Sequence, residues 1–174
     1  MKALLTLIFT ALALNFTQAQ EAQPANAEEG MTTYFFIRHA EKDMADPKNR
    51  DPQLSPEGRA RVKKWIEVFR ETDLGLVYTT NYHRTRSTAT PIAASKDLEM
   101  QVYDPQNMND DAFQKNTRGK TVLVVGHSNT NPHFVNAILK DKKYADIDEA
   151  ESGSLFIVTV TSSGEASSQV LYFN

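Results

Sequence analysis

The stretch Thr32-Thr33-Tyr34-Phe35-Phe36-Ile37-Arg38-His39-Ala40-Glu41-Lys42 decides how the chain is read. β-Branched and aromatic side chains run into Arg-His and then into charge. A short apolar run that ends abruptly reads as a buried strand opening into a loop. In open α/β sheets, ligands sit beyond the carboxyl ends of the strands. Arg38 and His39 are therefore expected at the mouth of a site. Arginine offers a planar fork for an anion, and histidine offers a nitrogen that attacks or carries a proton.

The N-terminus has a different character. Lys2 precedes an apolar stretch from Ala3 to Leu14, and Thr17-Gln18-Ala19 resembles a small-x-small cleavage site. This is the layout of a secretory signal peptide over 1–19. Its apolar core is short of the roughly 20 residues a membrane span needs, so no stable membrane anchor is expected. Residues 20–30 are polar and read as a disordered lead-in. One domain is expected over 31–174, exported to the periplasm or beyond. The chain has no Cys, so its core must hold it without disulfides. Its formal net charge of −3, without a basic run, argues against nucleic acid as a partner.

Further along, Ser55-Pro56-Glu57 starts a helix. Serine caps, proline fits the first turn, and glutamate suits the positive end of the dipole. Val62, Trp65, Ile66 and Phe69 give this helix one apolar face. A second strand is expected over 74–79 and a helix over about 82–96, kinked or ended by Pro91. A third strand follows over 98–103 and a short helix over 110–115. Thr121 to Val125 is a continuous apolar strand of the buried parallel type, leading into Gly126-His127-Ser128. Pro132 opens a last helix. Two alternating segments, 155–160 and 169–173, flank Ser162-Ser163-Gly164 as a hairpin. The pattern predicts an α/β fold: a three-layer α/β/α sandwich with a mainly parallel central sheet and an antiparallel C-terminal hairpin.

Two strand ends thus carry histidines, His39 and His127. Between them Arg84 falls in the first turn of a helix, where backbone N–H groups also favour an anion. Two arginines and two histidines converging on one mouth suit a tetrahedral dianion such as phosphate. His83, Arg86 and His133 read as surface residues. Gly119-Lys120-Thr121 imitates the end of a P-loop, but it precedes a strand and lacks the upstream glycine. No His-x-His or His-Glu-x-x-His spacing is present, and arginines beside two of the histidines would repel a cation. No metal or cofactor is expected.

Arg38-His39-Ala40-Glu41 resembles the Arg-His-Gly/Ala-Glu signature of the histidine phosphatase superfamily, which has the phosphoglycerate-mutase-like fold. Val77 to Ala89, with Arg84 ahead of Thr88-Ala89, resembles its second block, and Gly126-His127-Ser128 its third. Leu54-Ser55-Pro56-Glu57-Gly58 resembles the family's Leu-Thr-x-x-Gly helix start. The resemblance implies His39 as the nucleophile that takes the phosphoryl group. It implies His127 on the other side of that group, and Arg38 and Arg84 on its oxygens. Glu41, the fourth letter of the first block, is expected to orient Arg38 or a neighbour. Family members acting on phosphate esters use a carboxylic acid after the third strand. Asp104 ranks first for that role here, ahead of Asp110 and Asp111. Only about seventeen residues separate Tyr103 from Thr121, so no lid helices fit there and the compact bacterial type is expected. The implied substrate is a phosphorylated small molecule or phosphoprotein, hydrolysed as a phosphomonoester or phosphohistidine. The rival reading is a phosphate-binding module of the same fold without turnover.

Overall fold

The computed structural model describes residues 30–174; the expected signal peptide and nearly all of the lead-in lie outside the described residues. The elements run β1 (Thr32–Arg38), α1 (Pro56–Val68), β2 (Leu76–Thr79), α2 (His83–Ala94), β3 (Met100–Val102), α3 (Asp111–Thr117), β4 (Thr121–Gly126), α4 (Thr130–Leu139), β5 (Ser154–Val160) and β6 (Ala166–Tyr172). They form a six-stranded sheet in the order β3-β2-β4-β1-β5-β6. The first four strands run parallel, while β5 pairs antiparallel with both β1 and β6. The expected α/β sandwich with a mainly parallel sheet and an antiparallel hairpin is the observed fold.

Strand side chains alternate between two faces, and each face buries a different pair of helices. On one face Trp65 and Phe69, at and just beyond the end of α1, and Ala89, Ile92 and Ala93 of α2 pack on Ile37, Val77, Leu123 and Val125. On the other, Phe113 of α3 and Phe134 and Val135 of α4 pack on Tyr34, Phe36, Tyr78, Val122 and Val124. Each fully buried Phe or Ile contributes about 1.5–3 kcal/mol, so two such layers suffice without disulfides.

The helix starts follow local chemistry with one shift. The Ser55 hydroxyl accepts the Gly58 N–H at 3.1 Å, with Pro56 at the first helical position. By contrast α4 begins at Thr130, capped by Asn129, two residues ahead of the expected Pro132. Proline is tolerated there because first-turn N–H groups have no intrahelical partner. Pro91 does not end α2, which continues to Ala94. One backbone bond is lost, but Thr85, Thr88, Ala89, Ile92 and Ala93 hold the helix against the sheet on both sides of the proline.

Candidate active site

The site is made by strand adjacency. β1 and β4 are hydrogen-bonded parallel neighbours with Arg38 opposite Gly126. The residues that follow, His39 and His127, therefore emerge side by side, with ring centroids 5.5 Å apart. The His39 N–H donates to Gly126 O at 2.9 Å and locks the two strand ends together. α2 brings the second block to the same place. Thr88 Oγ1 accepts the Ala40 N–H at 3.0 Å and donates to Arg84 O at 2.8 Å. One hydroxyl thus couples the turn carrying His39 to the helix turn carrying Arg84.

A cavity of about 300 Å³ opens at this point, lined by His39, Lys42, Tyr82, Arg84, His127 and Glu149 among others. A larger cavity of about 430 Å³ lies between α1 and α2, but Leu54, Val62, Ile66 and Pro91 give it a mainly apolar wall, and it holds neither histidine. Chemistry, not size, picks out the smaller one.

The protonation states are set by burial and hydrogen bonding. His39 Nδ1 lies 2.8 Å from Ala40 O, which can only accept. Nδ1 therefore carries the proton and Nε2 is bare. Burial, opposed by that bond and reinforced by Arg38, His127 and Arg84, holds His39 down at about 3. Burial, with Arg84 and Arg38, lowers His127 to about 4. Both imidazoles are neutral at neutral pH. Arg84 stacks on the Tyr82 ring at 4.5 Å and reaches Asp51 at 3.2 Å and His127 Nδ1 at 3.4 Å. Its buried Nε–H has no partner within the protein.

Arg38 is placed differently from Arg84. It is 2 % exposed, and its Nη1 donates to the carbonyls of Asp148, Glu149 and Glu151 at 3.2, 2.8 and 3.0 Å. Its Nη2 donates to the Glu149 carboxylate at 2.7 Å, and its Nε has no partner. The two unpartnered Nε–H groups are buried donors whose desolvation an anion would offset.

The expected acid is not in this arrangement. Asp104 does not line the cavity. Its carboxylate accepts the Gln106 N–H at 2.9 Å within its own turn. Asp110 caps α3 and Asp111 lies in the first turn of that helix. The carboxylate in the mouth is Glu149, from the irregular segment after α4. It takes the Ser128 hydroxyl and lies 3.3 Å from Lys42 Nζ. The Ser128 bond, with Arg38 and Lys42, draws it down to about 2, so it is ionised. Glu41 pairs with Arg61 at 2.6 Å, not with Arg38, and so ties the turn after β1 to α1. Asp51 is a second carboxylate not foreseen at the site. It accepts the His83 N–H at the start of α2 and orients Arg84. Among the described residues no cluster of three His, Cys, Asp or Glu could hold a metal ion.

Residues 34–105 match the family model of the histidine phosphatase superfamily, branch 1. The fold matches solved structures over most of their length. A mycobacterial hydrolase shares 13 % identity at a TM-score of 0.66, covering 83 % of this chain and 99 % of its own. The protein histidine phosphatase SixA complexed with tungstate shares 15 % identity at 0.64, covering 80 % and 96 %. A phosphoserine phosphatase mutant from Entamoeba histolytica, in complex with phosphoserine, shares 14 % at 0.60, covering 79 % and 95 %. No curated protein sequence matches the chain. The motif blocks, the family match over residues 34–105 and the shared topology make this chain similar to the histidine phosphatase superfamily, and its fold is that of the solved phosphatases it matches.

Proposed function

We propose that this protein is a phosphatase that works through a phosphoryl group held covalently on His39. One observation carries the reading: a neutral histidine, its tautomer fixed by Ala40 O, turns a bare Nε2 away from that bond at a cavity lined by Arg84 and His127. A histidine attacks only through an unprotonated nitrogen. In the first step the Nε2 lone pair forms a bond to phosphorus, and the bond to the leaving group breaks with its electron pair. In the second, water attacks the same phosphorus, the P–N bond breaks, and its electrons return to Nε2. The protein's share is positioning and charge: Arg84 lines the cavity and supplies donors to the equatorial oxygens, while Arg38, buried outside the lining, adds positive charge and one unpartnered Nε–H. The solved structures bound to tungstate and phosphoserine support an oxyanion occupant.

The titratable groups of the cavity also bear on the substrate. Glu149 is ionised and both histidines are neutral, so no carboxylic acid stands ready to protonate an alkoxide. That favours phosphoryl donors whose leaving group departs without a strong acid, phosphohistidine and aryl phosphates ahead of alkyl phosphomonoesters. The test is phosphate release from p-nitrophenyl phosphate, an alkyl phosphate and a phosphohistidine peptide, by wild type and His39→Ala. Release by wild type alone, weakest with the alkyl ester, is expected. Phosphate binding without release from any substrate would make the protein a phosphate-binding module. The N-terminal pattern supports export, which cell fractionation and the mature N-terminus would test.

A further inference from the structure

His127 is held from behind by two threonines that the reaction described above does not use. Its Nε2 lies 2.9 Å from Thr80 Oγ1. Thr80 Oγ1 lies 3.0 Å from Thr85 Oγ1, and Thr85 Oγ1 lies 2.8 Å from Thr80 O and 3.0 Å from Tyr82 O. Both threonines are completely buried. Each hydroxyl has one proton, and these contacts decide where it goes. Thr85 is flanked by two backbone carbonyls, which only accept, so its proton goes to them. Thr85 Oγ1 must then accept from Thr80. The Thr80 proton is thereby committed, and Thr80 Oγ1 can only accept from the ring. Nε2 of His127 must be the donor.

We propose that Thr80 and Thr85 are positioning residues whose hydroxyl chain holds His127 as the Nε2–H tautomer, leaving a bare Nδ1 on the side of Arg84 as a proton acceptor. The rest of the site agrees. Arg84 Nη2, which only donates, is 3.4 Å from Nδ1, where a ring N–H would oppose it. The His127 N–H donates to Thr130 Oγ1 at 3.0 Å and fixes the backbone from which the ring projects. His39 and His127 thus have opposite tautomers. His39 is protonated on Nδ1 and bare on Nε2; His127 is protonated on Nε2 and bare on Nδ1.

This inference rests on the phosphatase reading only for its kinetic consequence. With Arg84 turned from Nδ1 to the phosphoryl oxygens, the unprotonated Nδ1 accepts a proton from the water that hydrolyses phosphorylated His39. Water oxygen bonds to phosphorus, the P–N bond electrons return to His39 Nε2, the water proton moves to His127 Nδ1, and phosphate leaves. His127 then returns the proton to solvent. No carboxylate is needed for this step, in a cavity whose one lining carboxylate, Glu149, is already engaged by Arg38, Lys42 and Ser128.

The test is two-bond ¹H–¹⁵N correlation NMR on protein labelled in histidine, with His127 assigned by His127→Asn. Wild type at neutral pH is expected to show the Nε2–H pattern for His127 and the Nδ1–H pattern for His39. Thr80→Val removes the acceptor and is expected to bring in Nδ1–H signal at His127, and Thr80→Ser to restore the wild-type pattern. With p-nitrophenyl phosphate, kcat is expected to fall about fivefold in Thr80→Val, the loss of one buried hydrogen bond, and to recover in Thr80→Ser. An Nδ1–H pattern at His127 in the wild type overturns the proposal, as does an unchanged tautomer in Thr80→Val. The wild-type spectrum decides even if Thr80→Val does not fold. Because the NMR readout needs no turnover, an inactive protein would sink the phosphatase reading and leave the tautomer question answered.

Discussion

The Arg38 guanidinium donates to the Glu149 carboxylate at 2.7 Å, across 111 residues of sequence, and does so from a position almost wholly buried. Glu149 thereby stands on an arm of the arginine proposed to help hold phosphate. A dianion arriving beside His39 must share Arg38 with that carboxylate or displace it. Glu149 is 64 % exposed and belongs to an irregular segment, so moving it is inexpensive. Glu149→Ala is expected to tighten inhibition by inorganic phosphate about threefold, on the scale of a partly exposed ion pair. Weaker inhibition would mean that the carboxylate holds Arg38 in place instead of competing for it.

Arg84 makes a geometric demand that a lysine cannot meet. Its guanidinium lies over Tyr82 while reaching Asp51 and His127 in two directions. An ammonium keeps the charge and loses the fork. Arg84→Lys is expected to lower kcat/KM for p-nitrophenyl phosphate by about a hundredfold, the scale of removing one donor to transition-state charge, with little change in thermal stability. Near-normal activity would show that charge alone suffices.

The two neutral histidines also make stability depend on pH. His39 and His127 titrate at about 3 and about 4 in the folded protein, against an ordinary value of 6.5. Between these limits the unfolded chain binds protons that the folded chain does not. Stability is therefore full above about pH 6.5 and falls as pH drops toward 4. Urea midpoints measured from pH 7.5 to 4 should decline, and His39→Gln should flatten the decline. An unchanged slope in that variant would mean that His39 is not held neutral by its surroundings.

Gly58 tests the join between α1 and the site. A Cβ placed there would meet Glu41 O inside van der Waals contact, and that same carbonyl accepts the Ser55 N–H at 2.9 Å. Backbone on both sides leaves no flexible atom to yield. Gly58→Ala is expected to destabilise the fold by about 1–3 kcal/mol, read as a lower urea midpoint. A neutral effect would show that the turn after β1 can shift away from α1.

Much of this architecture is legible in the sequence for identifiable reasons. β1 and β4 are uninterrupted apolar runs that end in Arg-His and Gly-His, so both the strands and the chemistry at their ends can be read locally. Their pairing, with Arg38 opposite Gly126, is long-range and follows only once the fold is in hand. β3 is shorter than its apolar pattern suggests: its ladder with its one neighbour, β2, covers only Met100 to Val102, a tertiary limit that no local pattern shows. Asp104 carries the same letters whether it serves as an acid or closes a turn, and here it closes the Asp-Pro turn. Glu149 and Asp51 have no local signature: each sits among other polar residues in an irregular segment. What gives each a role is an arginine from elsewhere in the fold, Arg38 for one and Arg84 for the other.

The most direct test of the account is to trap the phosphoenzyme. Wild-type protein mixed with p-nitrophenyl phosphate and quenched in alkali within its first turnovers should carry acid-labile phosphate, and peptide mapping should place it on His39. His39→Ala should carry none. Turnover by wild type with no phosphate on His39, or with phosphate on another residue, would contradict the covalent mechanism and the assignment of His39 as its nucleophile.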